Sequence, residues 1–413
     1  MDALMALVAN EHANPHTTSY MGLAPFLRDS IAGKDLRLIG AELLALVDEY
    51  PSDAPLLMNV SLAMQCLGER ELGLAFQAEA LAIQRIYPIN ATEQPARIKV
   101  LMLMVPGDIA ANTPLECLLE SSDIDLVYYF LTFGNLFSLP IPEHDVLLVA
   151  LGESEENRKI LDGLEHHLSN WPKPVVNLPK YIPSTDRHLL SKILQGSPGL
   201  LIPMTWQTTR GDLIRIAASG FATGEFFSDC NFPIIIRPVG SQAGRDLEKL
   251  QSEDELLNYL SRIQGDKFFI ARFIDYRSED RLFRKYRIAM IDGVSFACHM
   301  GVSTHWMVHY VNAGMYEEAW KRVEETNFMA KFEDFAQKHC VALKAIHDRI
   351  QLDYFCLDCA ETLDGRLLLF ELDNCMIVHA MDSEEMFPYK QLPMLKVKIA
   401  FQDYLSHLHE RNN

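Results

Sequence analysis

The stretch that decides the reading is YFCLDCAETLDGRLLLFELDN, residues 354–374. Acids stand inside two runs that otherwise read as buried β-strand. RLLLFEL is apolar at both alternating sets, so neither face of that strand looks to solvent. Between the runs lies Asp364-Gly365, a strong signal for a two-residue type I′ turn, which needs positive φ at both centres. With those two residues as the loop, Asp358 falls directly opposite Glu371. Asp373 is two residues on from Glu371 and projects from the same face. Counting therefore predicts three carboxylates on one patch of apolar sheet.

Like charges opposite one another in a sheet repel, and burial of an unpaired carboxylate is costly. Something positive belongs there. Hard oxygen donors in an open cluster suit Mg²⁺, which binds through one or two carboxylates and takes its remaining ligands from water and phosphate.

The 413 residues exceed what one core supports, so two or three domains are expected. With 37 basic and 56 acidic residues the formal charge is −19, which argues against general nucleic-acid or anionic-membrane binding. The eight cysteines are scattered and mostly in apolar context. With no secretory leader visible, they read as reduced thiols of a soluble, cytoplasmic protein. Cys356 and Cys359 have C-x-x-C spacing, but residues three apart on a strand face opposite ways, so no zinc or redox pair is expected. The apolar run at 126–142 is too short and broken to span a bilayer.

Residues 1–92 read as helices broken at Pro51 to Pro55 and at Gly68, with a period resembling the tetratricopeptide helix pair. Residues 96–180 alternate strand and helix, the pattern of a small α/β domain with a parallel sheet. From 181 to 413 the texture is α+β. A buried strand, Pro233 to Ile236, delivers Arg237 into a loop with Gly240, Ser241 and Gly244, where small residues let backbone N–H groups approach an anion. The segment after it, LEKLQSEDELLNYL, reads as helix. A further helix is capped by Ser184, Thr185 and Asp186 and carries Arg187 at its start. Arg281, Arg284, Lys285 and Arg287 concentrate positive charge in an acidic chain, as an anionic substrate or polyphosphate requires. The strand they precede has its own tight turn at Asp292-Gly293.

In this order the cap helix, IIIRPVGSQAG, FFIARFI, YRIAMIDG, VNAG, FCLD and FELDN resemble the ATP-grasp superfamily, in the branch of glutathione synthetase and the peptide-glutamate ligases. The resemblance covers about residues 98 to 405. It implies an ATP-grasp fold, two α+β subdomains clamping a nucleotide, behind the small α/β domain and the N-terminal all-α region. It implies ATP phosphates on Arg187, Arg237 and the Gly240–Ser241–Gly244 loop, adenine on the backbone of Arg272, Phe273 and Ile274, and Phe370 packed on the base. It implies Mg²⁺ on Asp358, Glu371 and Asp373, with Asn374 as the alternative third ligand. Arg287 would hold phosphate or activated substrate, and Asn312 would sit near the terminal phosphate. Arg187 and Arg237 stand where the family usually has Lys, and Tyr310 where it has Arg; His305 or His309 could supply that charge.

The implied activity is ATP-dependent carboxylate–amine ligation through an acyl phosphate, on a small-molecule or peptide carboxylate plus an amine. A catalytically silent nucleotide- or partner-binding protein, docking through the N-terminal helices, and a phosphotransferase that stops at phosphoryl transfer are the alternatives; a homodimer is compatible with each. On the ligase reading, Asp358→Asn or Glu371→Gln abolishes ADP formation with little loss of folding.

Overall fold

The computed structural model describes residues 18–219, 223–241 and 244–412. Residues 1–17 of the predicted helical region and 242–243 of the glycine loop lie outside the described residues. The chain divides into two compact units. One runs up to Ile182 and adds Leu352–Cys356 and the residues from Asp373 onward; the other comprises Pro183–Gln351 and Leu357–Leu372.

The first unit opens on helices Ala24–Ile31, Leu36–Glu49, Ala54–Cys66 and Arg70–Ile83. Of their three breaks, one lies between Ile31 and Leu36 and the others at Pro51 and Gly68, and Asp35 and Asp53 cap the second and third helices by accepting backbone N–H groups of Arg37 and Leu56. Phe26, Leu43, Leu56 and Val60 form the apolar seam between them. A five-stranded sheet follows, built from β1 (Ile86–Ile89), β2 (Ile98–Met104), β3 (Ile124–Phe130), β4 (Val146–Val149) and β5 (Val175–Val176). Its order is β1-β3-β2-β4-β5. The last four strands pair in parallel, as the alternating pattern predicts, and β2 is buried at every position except Lys99. Strand β1 lies at the end of the stretch whose pattern predicts helix. It contains Pro88, which an edge strand tolerates, and it pairs antiparallel to β3. The C-terminal helix Gln391–Asn412 also belongs to this unit, with Val397, Phe401 and Leu405 buried at helical spacing. Among the described residues no helix is long and apolar enough to cross a membrane.

The second unit carries β6 (Leu200–Leu201), β7 (Thr205–Thr209), β8 (Ile234–Pro238), β9 (Glu248–Leu250), β10 (Lys267–Arg272), β11 (Phe283–Ile291), β12 (Val294–Ser303), and all but the first three residues of β13 (Tyr354–Glu361) and the last residue of β14 (Leu367–Asp373). They form two sheets, β7-β10-β8-β9 and β12-β11-β13-β14-β6. Mixed α/β architecture thus holds throughout, with parallel pairing in the first unit and mainly antiparallel pairing here.

Two local readings change. The glycine loop joins β8 to β9 as a hairpin rather than opening a helix, because Glu248–Leu250 pairs back on Ile234–Ile236. The helix starts later, at Glu253, capped by the Ser252 hydroxyl. The hairpin at 364–365 also differs from its prediction. Gly365 has φ +81° while Asp364 stays at negative φ. The Thr362 N–H donates to Arg366 O (3.0 Å) and the Gly365 N–H to Thr362 O (2.9 Å), closing a three-residue loop. Side chains select it: the Arg366 N–H donates to Thr362 Oγ1 (3.1 Å), and Arg366 Nε to Asp364 Oδ2 (2.9 Å). Thr362, and not Leu363, therefore faces Arg366. By contrast Asp292 (φ +47°) and Gly293 (φ +77°) form the two-residue turn their sequence predicts.

Candidate functional site

Strand β11 lies beside β13. Lys285 and Arg287 are two residues apart and project from one face. Both reach Asp358, whose side chain is only 1% exposed. Lys285 Nζ lies 2.8 Å from Oδ2; Arg287 donates from Nε to Oδ1 (2.8 Å) and from Nη2 to Oδ2 (3.0 Å). The register of β11 against β12 shifts just past Arg287, with Cys298 as the extra residue. Such a bulge re-aims neighbouring side chains. Burial pushes the Asp358 carboxyl up, but Arg287 and Lys285 outweigh it and hold the group well below its usual value.

Glu371 on β14 is paired with Arg187, the first residue of the helix Arg187–Leu194, which Asp186 caps. Burial works against the Glu371 charge, Arg187 works for it, and the result is a lowered carboxyl that also feels Asp358, Lys285 and Arg237. Arg237 is 8% exposed, donates from Nε to Ser241 Oγ (3.0 Å) and bonds the Ser241 carbonyl. Burial, then the Arg187 charge, push this guanidinium down to about 10, while Glu371 pulls the other way. His309 stands in the same field: burial, then Lys285 and Arg287, hold its imidazole below the usual value.

The cluster therefore sets four cations, Arg187, Arg237, Lys285 and Arg287, against two carboxylates, Asp358 and Glu371. It carries a surplus of two positive charges in a chain of formal charge −19. A partly buried surplus of that sign is a receptor for an anion with several charges, and guanidinium groups match phosphate oxygens two at a time.

The predicted carboxylate trio is brought together only in part. Asp358 and Glu371 share the cluster, although the hairpin count that paired them used the wrong loop. Asp373 belongs to the first unit, where its Oδ1 accepts the Cys375 N–H (2.9 Å). Asn374, the alternative, is buried with its amide Nδ2 donating to Leu151 O (3.2 Å). Among the described residues no group of three or more His, Cys, Asp or Glu stands close enough to hold a metal ion. As placed, the donors do not fit a divalent cation: both oxygens of Asp358 accept from cationic side chains, and Oε2 of Glu371 meets Arg187.

The hinge residues lie elsewhere in this unit. Arg272 ends β10, and the Phe273 N–H donates to Pro233 O (2.9 Å). With Ile274 they line a cleft of about 470 Å³, completed by Leu201, Asp275, Thr362, Leu363, Asp364 and Arg366. Phe370 packs edge-on against Tyr276, ring centres 4.9 Å apart. Gly240 and Gly244 take positive φ of +80° and +72° at the two described ends of their loop. Asn312 is exposed in the short Tyr310–Asn312 turn, its N–H bonded to His309 O (2.9 Å).

Lys285, expected only as part of the basic run, takes a specific partner in Asp358, and His309, one of two candidates for the charge missing at Tyr310, stands near Lys285 and Arg287. Lys285-x-Arg287 on one strand face was the available signal for the first. Arg284, on the other face, is committed to Asp280 (2.6 Å) and Glu324 (2.7 Å).

No protein-family model matches the chain. Over 183 residues it is 25% identical to the coenzyme gamma-F420-2:alpha-L-glutamate ligase of Methanococcus maripaludis, a match covering 44% of this chain and 55% of that protein. That relative is a ligase. The chain thus spans about half the length of the curated relative it matches. Among solved structures it is similar to the D-alanine–D-alanine ligase of Bacillus anthracis complexed with ATP (13% identity, TM-score 0.43, 76% of this chain and 99% of that one). It is also similar to a RimK domain protein ATP-grasp from Sphaerobacter thermophilus (13%, TM-score 0.42, 75% and 99%).

Proposed function

We propose that the protein is an ATP-dependent carboxylate–amine ligase acting through an acyl phosphate. The observation that carries this reading is the ionised pair Asp358 and Glu371 held under a surplus of cations. The ligase name of the curated relative supports it. In the reaction a substrate carboxylate oxygen attacks the γ-phosphorus, the bond to the β-phosphate oxygen breaks, and ADP leaves. The amine then attacks the acyl carbon, phosphate departs, and the amine gives up a proton.

Arg187 and Arg237 cradle the polyphosphate, and Lys285 and Arg287 take up charge that develops on the transferring group and the activated acid. The arrangement is stiff, because Ser241 holds Arg237 and Asp358 holds Lys285 and Arg287. Preorganised donors stabilise a transition state without reorganisation cost. Adenine belongs against the Arg272–Ile274 backbone and Phe370. Asn312, exposed on its turn, would reach the terminal phosphate. Mg²⁺, which the resemblance implies, would supply charge neutralisation when bound, although both Asp358 oxygens and Oε2 of Glu371 already meet cations.

The same occupied carboxylates favour a second reading, a nucleotide-binding protein without turnover. A release assay with Mg·ATP against pooled amino acids and short peptides, with hydroxylamine present, separates the two. Substrate-dependent ADP together with a hydroxamate supports the ligase. ATP binding without ADP from any pool leaves the silent binder, and ADP with a phosphorylated product but no hydroxamate makes it a phosphotransferase.

A further inference from the structure

Resting on the reading of the cluster as a phosphate site, we infer that Glu325 is a positioning residue acting through Tyr310. It fixes the Tyr310–Asn312 turn so that the Asn312 amide meets the nucleotide's terminal phosphate, and the protein thereby prefers ATP to ADP. The buried residues of the helix Ala319–Ala330 are Lys321, Glu325 and Met329, four apart on one stripe. Charged side chains on the inward face of a helix are rare unless each finds a partner. Here the partners are β12 and the segment that joins it to the helix. Glu325, fully buried, accepts the Met300 N–H at Oε1 (3.0 Å) and the Tyr310 hydroxyl at Oε2 (2.8 Å). Lys321 Nζ donates to Ala313 O (2.6 Å), and Arg322 Nη1 to Met315 O and Tyr316 O (both 2.8 Å).

The segment lies directly on the strand. A Cβ at Gly301 of β12 would come to 3.0 Å from Val308 Cγ1, so the glycine permits the close approach. Val308, Ala313 and Met315 are buried in one cluster with Tyr276 and Phe283. The turn also borders the cationic site. The Tyr310 ring centre is 4.6 Å from that of His299, the cross-strand partner of Arg287, and His309 feels Lys285 and Arg287. Asn312 is exposed, and its side-chain amide makes no hydrogen bond among the described residues. A neutral donor at the rim of such a site suits one oxygen at the end of a polyphosphate chain. At Tyr310, where the resemblance leads one to expect arginine, the hydroxyl turns inward to Glu325, so this position contributes placement and not charge. Satisfied buried polar bonds specify a single arrangement, and a donor fixed before the ligand arrives loses less freedom on binding.

The test uses the full chain, with Mg·ATP and Mg·ADP as calorimetric probes. The wild type should bind ATP about tenfold or more tightly than ADP. Tyr310→Phe keeps the ring and removes the hydroxyl; it should weaken ATP binding by about tenfold and leave ADP binding within about twofold. Asn312→Ala, at an exposed position, should do the same. The double variant should lose no more than either single one, because both act through one contact. Glu325→Gln sets an amide N–H₂ against one of the two donors and should lower the ATP preference in the same direction. A merely structural role would lower the melting temperature and leave the ratio of the two affinities unmoved. Unchanged ATP binding, equal weakening of both nucleotides, additive losses in the double variant, or a wild type without preference each overturn the positioning role. Should the Glu325 variant fail to fold, Tyr310→Phe and Asn312→Ala still decide. A wild type that binds neither nucleotide overturns the phosphate-site reading itself, and so is told apart from failure of the positioning role.

Discussion

Glu116 in the first unit and Asp358 in the second are both buried carboxyl groups, and they resolve burial in opposite ways. Glu116 accepts the Leu23 N–H (3.0 Å) and lies beside the Tyr128 hydroxyl; burial pushes its carboxyl up. Asp358 keeps its charge because two cations close on it. Neutralising a buried acid takes only a proton, whereas keeping it ionised requires partners that are themselves desolvated. Retained charge with a cationic surplus is thus the mark of a site that handles charge, and a buried acid pushed towards its neutral form without a cation is the mark of packing.

The largest effect that would test this contrast is on stability. Asp358→Asn leaves Lys285 and Arg287 facing an amide and should cost about 3–5 kcal/mol. Glu116→Gln should stay within about 1 kcal/mol, since burial already disfavours the charged form of the native group and the amide keeps an acceptor for the Leu23 N–H. Chemical denaturation of both variants measures the gap, and equal losses would dissolve the comparison. This also revises the expectation that Asp358→Asn spares folding, because the carboxylate holds two cations in place.

Next in size is binding. Arg237→Met should lower ATP affinity by about 2 kcal/mol, the worth of hydrogen bonds to a charged group, in a calorimetric titration. Ser241 loses its partner as well, so a melt of the unliganded variant should accompany the titration.

Titration sharpens the contrast further, because the two signs oppose. Asp358 and Glu371 are lowered in the folded state, and Glu361 is pulled to about 2 by its contact with His339 ahead of that with Lys338. Their stabilisation is present above the ordinary carboxyl value of about 4 and is lost as pH falls below it. Glu116 is raised, so its contribution is present at low pH and is lost as pH rises through the ordinary value towards the folded one. Melting curves from pH 3 to 7 should therefore show the wild type losing stability on acidification. Glu116→Gln should gain on the wild type as pH increases. A constant difference between the two would contradict the raised Glu116.

The smallest expected effect concerns the hairpin. Gly365→Ala meets no atom within 4 Å and should cost only the strain of positive φ, about 1 kcal/mol, with ATP binding unchanged.

That hairpin shows where sequence reading stops. Asp292-Gly293 and Asp364-Gly365 are the same dipeptide between apolar runs, yet only the first makes the two-residue turn. The second is flanked by Thr362 and Arg366, whose side chains bond across the loop and lengthen it by one residue. Propensity named the turn; side-chain contacts chose its type. β9 forms inside a helical pattern for a related reason, because three residues of strand are decided by the neighbour they pair with and not by periodicity.

By itself the sequence determined the strands and helices of strong periodicity, the alternation of parallel and antiparallel regions, the acidic pair on β13 and β14, and the basic run beside it. These are local properties of composition and spacing, and a chain carries them before it folds. Only the tertiary structure decided which charges meet: Lys285 and Arg287 find Asp358 from 73 and 71 residues away, Arg187 finds Glu371 across 184, and Asp373 turns to Cys375. Charge pairing falls off with distance in space and is blind to distance along the chain, so no spacing rule could have assigned these partners.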